Sequence, residues 1–147
     1  AGKVHQEILS GFLENPYFGR NPPKSLDRDD FSWVLHAVSG LSAEDGAATL
    51  CAFSARSISK ARDYFPEAAK RWLVTGGGRH NTTMMAMLDL LVGGPVEPIE
   101  SINFNGDALE AQAFAFLAIR SFYGMPISLP KTTNVSRPMI GGVLFES

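Results

Sequence analysis

Cysteine and charge are both scarce in this chain. Cys51 stands alone, which excludes an internal disulfide and a cysteine-based zinc site. A free thiol fits a reducing compartment, so a cytoplasmic location is expected. Charged residues make up 19% of the 147, with a formal net charge of −2. The basic face of a nucleic-acid binder is missing, and no nucleic-acid partner is expected. The longest apolar run, around Ala113 to Ile119, is too short to span a bilayer, so no membrane partner is expected either. The opening residues carry no signal-peptide pattern. Neither an internal repeat nor a low-complexity stretch interrupts the chain. His5, His36 and His80 are scattered and lack companion ligands, so no metal site is expected.

The sequence does hold enough apolar residues, 45%, to build a core for one ordinary domain or part of a larger one. It starts at Ala1 with residues that already read as helical. A piece of a longer protein is therefore expected.

The pattern is mostly helical. Val4, Ile8, Leu9, Phe12 and Leu13 share one helical face, and Asn15-Pro16 ends that helix. Asp27, with Asp30 three residues on, predicts a second helix through Phe31, Val34, Leu35 and Val38. Ser42 with Asp45 starts a long helix that ends before Pro66. Trp72-Leu73-Val74 reads as a buried strand running into Gly76-Gly77-Gly78. Asn81 then caps a Met- and Leu-rich helix that stops at Gly93-Gly94-Pro95. Pro98 to Asn103 reads as a second short strand. Gly106-Asp107 opens a final helix, Ala108 to Ile119, apolar on nearly every side and so expected to be buried on nearly every side.

Glycines between a strand and a helix start can take positive φ and admit another molecule to the main chain. Free N–H groups there suit a phosphate or nucleotide. The spacing matches neither a Walker A loop nor GxGxxG, and taken alone such a turn is more often a tight connection than a ligand site. Asp107 and Glu110 read either as a capping pair or as acids beside a cleft, with Glu110 near a sugar or its water. Lys24, Ser25 and Arg28 read either as an anion site or as a solvated loop. Cys51 reads as a small core residue.

Several segments together resemble the C-terminal part of the anhydro-N-acetylmuramic acid kinase family. They begin with Asn15-Pro16-Tyr17-Phe18 and the stretch Pro22-Pro23-Lys24-Ser25-Leu26-Asp27-Arg28, similar to the family's PPKS-x-x-R element. Asp45-Gly46-Ala47-Ala48-Thr49-Leu50 is the next match, leading into Ala52 to Ala55. Then come Thr75-Gly76-Gly77-Gly78-Arg79-His80-Asn81 and Gly106-Asp107-Ala108-Leu109-Glu110. The ending, Leu129 to Thr133 and Ser136 to Gly142, completes the order. Leu26-Asp27 departs from the Thr-Gly that the family often has there.

The resemblance implies an α/β fold: the C-terminal portion of an actin-like (ribonuclease H-like) ATPase domain, helix-rich with a few short strands. Residues 1–147 would be the partial C-terminal nucleotide-binding domain of a two-domain kinase. The implied reaction uses ATP, Mg2+ and water to open 1,6-anhydro-N-acetylmuramic acid and yield N-acetylmuramate 6-phosphate. Gly76, Gly77, Gly78 and Asn81 are the implied nucleotide contacts, and Glu110 is the substrate-side candidate. The family's N-terminal phosphate loop and its catalytic aspartate have no counterpart here, so no catalytic residue is assigned and the piece alone is expected to be inactive. Two alternatives stay open: a non-catalytic helical interaction module, and an actin-like sugar kinase or ATPase with another substrate. The expected partner is a small-molecule sugar, with a homodimer left open.

Overall fold

The computed structural model describes residues 2–145, Arg28 by its backbone alone. The first helix, α1, spans Gln6–Leu13. A 3-10 turn, Pro16–Gly19, comes after it, with Asn15 Oδ1 accepting from the Tyr17 amide at 2.9 Å. Helix α2 covers Trp33–Ala37 and α3 covers Ala43–Ser59. The Ser42 hydroxyl accepts from the Asp45 amide and satisfies one of the free donors at the start of α3. A 3-10 extension, Lys60–Tyr64, ends the helix where Phe65 turns extended before Pro66.

The helix expected from Asp27 is broken in two. Its capping box forms: Asp27 accepts from the Asp29 amide and Asp30 from the Asp27 amide, each at 3.0 Å. The chain then makes a 3-10 turn, Arg28–Phe31, before α2 begins. The reason lies in the aromatics. Phe31 packs on Phe18 and Phe53, and Trp33 packs edge-on against Phe12 at 5.3 Å. Residues two apart on one α-helix face opposite ways. The break lets both rings reach the same core.

Helix α3 is the spine. One side meets α1, where Leu9, Phe12, Phe18, Val34, Ala52 and Phe53 form a buried cluster. The other side meets helix α4, Thr82–Val92, where Ala55, Leu88 and Val92 form a second cluster. Burying a side chain such as Leu9 or Leu88 stabilises the fold by about 1.5–3 kcal/mol relative to leaving it in water. The segment before α1 is pinned to α3. The Asp45 carboxylate accepts from the Lys3 amide at 2.6 Å, and buried Thr49 accepts from the His5 amide at 3.1 Å.

Strand β1, Trp72–Val74, pairs in parallel with β2, Val96–Pro98, in the register Trp72 with Val96. Parallel neighbours need a crossover, and α4 supplies it, making a β1–α4–β2 unit. Gly93, at φ 72°, ends α4 in the left-handed region. The second strand thus lies earlier than the expected Pro98 to Asn103. Ile99–Ile102 is instead a 3-10 turn, since Pro98 lacks the N–H that would continue the ladder.

The largest correction concerns helix α5, Leu109–Phe122, in which no residue is buried. Phe114, Phe116 and Phe122 are all exposed. The tail leans on it through the Ser121 hydroxyl, which donates to the Gly141 carbonyl, and folds back on itself through a bridge between Ser128 and Met139. A short helix α6, Pro130–Thr133, lies between the bridged residues. Periodicity read the apolar faces of α5 correctly, but among the described residues the tail covers them only in part and leaves the phenylalanines exposed.

Candidate functional site

The cleft of interest opens where both strands end. Thr75 follows β1, and its hydroxyl donates to the Gly106 carbonyl at 3.4 Å. Gly76 comes next with φ 74° and ψ 178°, a region essentially reserved for glycine. A 3-10 turn, Gly77–His80, intervenes before α4. The glycines therefore do not sit at the α4 N-terminus, as the sequence suggested.

Asn81 does cap α4, its Oδ1 accepting from the Met84 amide at 3.0 Å. A Cβ on Gly78 would meet the Met84 Cε at 2.6 Å, so Gly78 is pressed against the same helix. Gly77 is different: a Cβ there would point into open space.

The opposite wall is the loop from β2 to α5. Asn103 takes the left-handed conformation at φ 63°. Asn105 Oδ1 then accepts from the amides of Asp107 and Ala108, at 3.0 and 3.2 Å. Asn105 therefore takes the Asp107 amide that Glu110 was expected to reach, and no side chain caps α5 at its N-cap, Ala108. Asp107 turns instead to Arg79. Glu110, exposed and without a hydrogen bond or ion pair among the described residues, is left on the cleft rim.

Between the two walls lies a cleft of about 480 Å³, lined by Thr75, Gly76, Gly77, Gly106, Asp107, Leu109, Glu110 and Ala113. It sits at the carboxyl ends of β1 and β2, the edge where open α/β sheets receive ligands.

Behind the cleft is Arg79, whose side chain is only 3% exposed. Its Nε donates to Glu100 Oε1 at 2.9 Å, Nη1 to the Gly76 carbonyl at 2.9 Å, and Nη2 to Asp107 Oδ1 at 2.8 Å. The hydrogen bond from Arg79 holds the Asp107 carboxyl below its ordinary range. Glu100 is also held low, first by its own backbone amide and then by Arg79 and the Gly106 amide. The Asp107 hydrogen bond in turn raises the Arg79 guanidinium further. His80 Nε2 stands 3.7 Å from Asp107 Oδ1 on the outer side.

Sequence reasoning found Gly76, Gly77 and Glu110, which the structure brings together. It placed Gly78 and Asn81 with them, whereas these two face α4. Arg79, Glu100 and Asn105 were missed. Asn105-Gly106-Asp107 is a turn signal that could have been read. Arg79 gave no signal, because burial of an arginine is a tertiary fact.

Lys24 is already committed. Its ammonium donates to the carbonyls of Tyr17 and Phe18, at 3.1 and 3.2 Å, and stands 4.5 Å from the centre of the Tyr64 ring. That clasp leaves little of it for an anion. The Arg28 side chain lies outside the described residues. Burial pushes the Cys51 thiol up, as suits a packing residue and not a nucleophile.

Mg2+ in kinases is held by one or two carboxylates plus substrate phosphates. Among the described residues no three His, Cys, Asp or Glu side chains gather to hold a metal. Asp107 and Glu100 each give an oxygen to Arg79. Among the described residues there is thus no preformed three-ligand metal site, and the carboxylates that line the cleft are Asp107 and Glu110.

The chain is thus a helix-rich α/β unit with a cleft at the ends of its two strands. A family model described as anhydro-N-acetylmuramic acid kinase matches residues 1–147. The chain is 53% identical over 145 residues to the anhydro-N-acetylmuramic acid kinase of Paramagnetospirillum magneticum, covering 97% of this chain and 40% of that protein. It is 51% identical over 141 residues to the kinase of that name from Zymomonas mobilis, with 96% of this chain and 38% of that protein covered. The corresponding protein of Rhodospirillum rubrum is 51% identical over 147 residues, covering 100% of this chain and 39% of that protein. The chain belongs to the anhydro-N-acetylmuramic acid kinase family, of the sugar kinase and actin-like ATPase class. It spans about 40% of the length of these relatives.

Proposed function

We propose that this chain is the C-terminal, nucleotide-binding part of a two-domain cytoplasmic kinase of peptidoglycan recycling. The complete protein would use ATP and water on 1,6-anhydro-N-acetylmuramic acid. Water adds at the anomeric carbon as the C1–O bridge breaks, and the freed O6 takes the γ-phosphoryl group. The products are N-acetylmuramate 6-phosphate and ADP. The base that activates water lies outside residues 1–147, so the chain by itself is inactive.

Within the cleft, Gly76 and Gly77 present main chain to the nucleotide, and Glu110 faces the sugar side. Gly78 and Asn81 keep the turn seated on α4. The observation that carries this reading is the open space beside Gly77. Gly76 is explained by its backbone angles and Gly78 by Met84, but no contact among the described residues requires a glycine at 77. A ligand passing close to the main chain would.

Calorimetric titration of the full-length protein with a non-hydrolysable ATP analogue tests this. The reading expects saturable binding that weakens at least tenfold in Gly77→Val, with the melting temperature unchanged. Equal affinity in wild type and variant contradicts it.

A further inference from the structure

Arg79 is too buried to touch a ligand, yet it holds both walls of the cleft. It grips Gly76 twice, since its own amide donates to the Gly76 carbonyl at 3.2 Å alongside Nη1. The carbonyl of Gly76 and the amide of Gly77 belong to one trans peptide plane and point in opposite directions. Turning the carbonyl inward to Arg79 therefore turns the Gly77 N–H outward. That N–H donates to no group among the described residues. Gly77 lines the cleft.

The same guanidinium reaches the opposite wall through Asp107 and Glu100, and Glu100 Oε1 also accepts from the Gly106 amide at 3.2 Å. Gly106 is fitted to this arrangement, because a Cβ there would lie 2.5 Å from Arg79 Nε.

We propose that Arg79 is a positioning residue for nucleotide binding, which aims the Gly77 N–H into the cleft and locks the Gly76 turn to the Gly106 loop. The inference rests on the nucleotide reading of this cleft. Preorganised donors bind more tightly because the ordering is already done before the ligand arrives. Losing Arg79 should therefore raise the KM for ATP and leave the phosphoryl-transfer step almost untouched.

The test is steady-state kinetics of the full-length protein with 1,6-anhydro-N-acetylmuramic acid saturating and ATP varied, for wild type, Arg79→Met, Arg79→Lys and Glu100→Gln. We expect the KM for ATP to rise at least tenfold in Arg79→Met while kcat stays within threefold. Arg79→Lys, which keeps charge but not the three-way fork, should fall between. Glu100→Gln should raise KM about threefold. A KM equal to wild type in folded variants overturns the proposal, as does a fall in kcat at constant KM. If Arg79→Met does not fold, Glu100→Gln decides by the same KM criterion. A wild-type enzyme that does not saturate with ATP overturns the nucleotide reading itself, and the role of Arg79 with it.

Discussion

Asp107 Oδ1 lies 2.8 Å from Arg79 Nη2, and this contact joins the loop before α5 to the turn after β1. The pair has a defined pH dependence. The folded carboxyl titrates below its unfolded value because Arg79 donates to it. A depressed carboxylate contributes stability that is present above the unfolded pKa, about 3.9, and is lost as pH falls through the folded one. Urea unfolding should therefore show wild type more stable than Asp107→Asn by a constant margin between about pH 5 and 7. That margin should shrink below about pH 4. A margin independent of pH would show that the ion pair does not form.

The three glycines separate experimentally. Gly76→Ala forces a side chain into a strained conformation and should cost about 1–3 kcal/mol in chemical denaturation. Gly77→Ala meets nothing within 4 Å and should leave the denaturation midpoint in place while weakening ATP. The reverse order would place the ligand elsewhere.

Lys24 closes the Pro16–Gly19 turn against Tyr64, whose hydroxyl also donates to the Phe18 carbonyl at 2.7 Å. Lys24→Met removes a charged donor from two carbonyls and should lower stability by about 2 kcal/mol. The KM for ATP and for the sugar should stay at wild-type values. A raised KM with stability intact would restore the anion-site reading of this loop.

Asn81→Ala removes the cap of α4 and should cost about 1 kcal/mol of stability. A loss of ATP affinity without a loss of stability would return Asn81 to the nucleotide.

Much of this was legible in local chemistry. The caps at Asp27, Ser42 and Asn81 form as their residue types dictate, because a cap needs only its own first turn. The strand Trp72–Val74 and the stop at Gly93 were legible for the same reason. The strand is half-buried and not buried as expected, because it has a single partner, β2, among the described residues. The split between Phe31 and Trp33 was not, since it depends on where Phe12, Phe18 and Phe53 lie. The β2 register was missed because it is set by pairing with Trp72, not by its own residues. Gly76 and Gly77 were visible as a turn and Glu110 as an acid. That Asp107 leaves its helix cap for a buried Arg79 could not be read without the fold. The all-round apolarity of α5 was read correctly, but burial did not follow from it, since its phenylalanines stay exposed among the described residues. Within the kinase reading, that face would meet the remaining length its relatives possess.

The most direct measurement is turnover by the full-length protein, following ADP and sugar phosphate together with and without 1,6-anhydro-N-acetylmuramic acid. The account predicts that ADP and N-acetylmuramate 6-phosphate appear in equal amounts only when the sugar is present, and that Gly77→Val abolishes both. ADP release independent of the sugar, or sugar-dependent turnover unaffected by Gly77→Val, would contradict it.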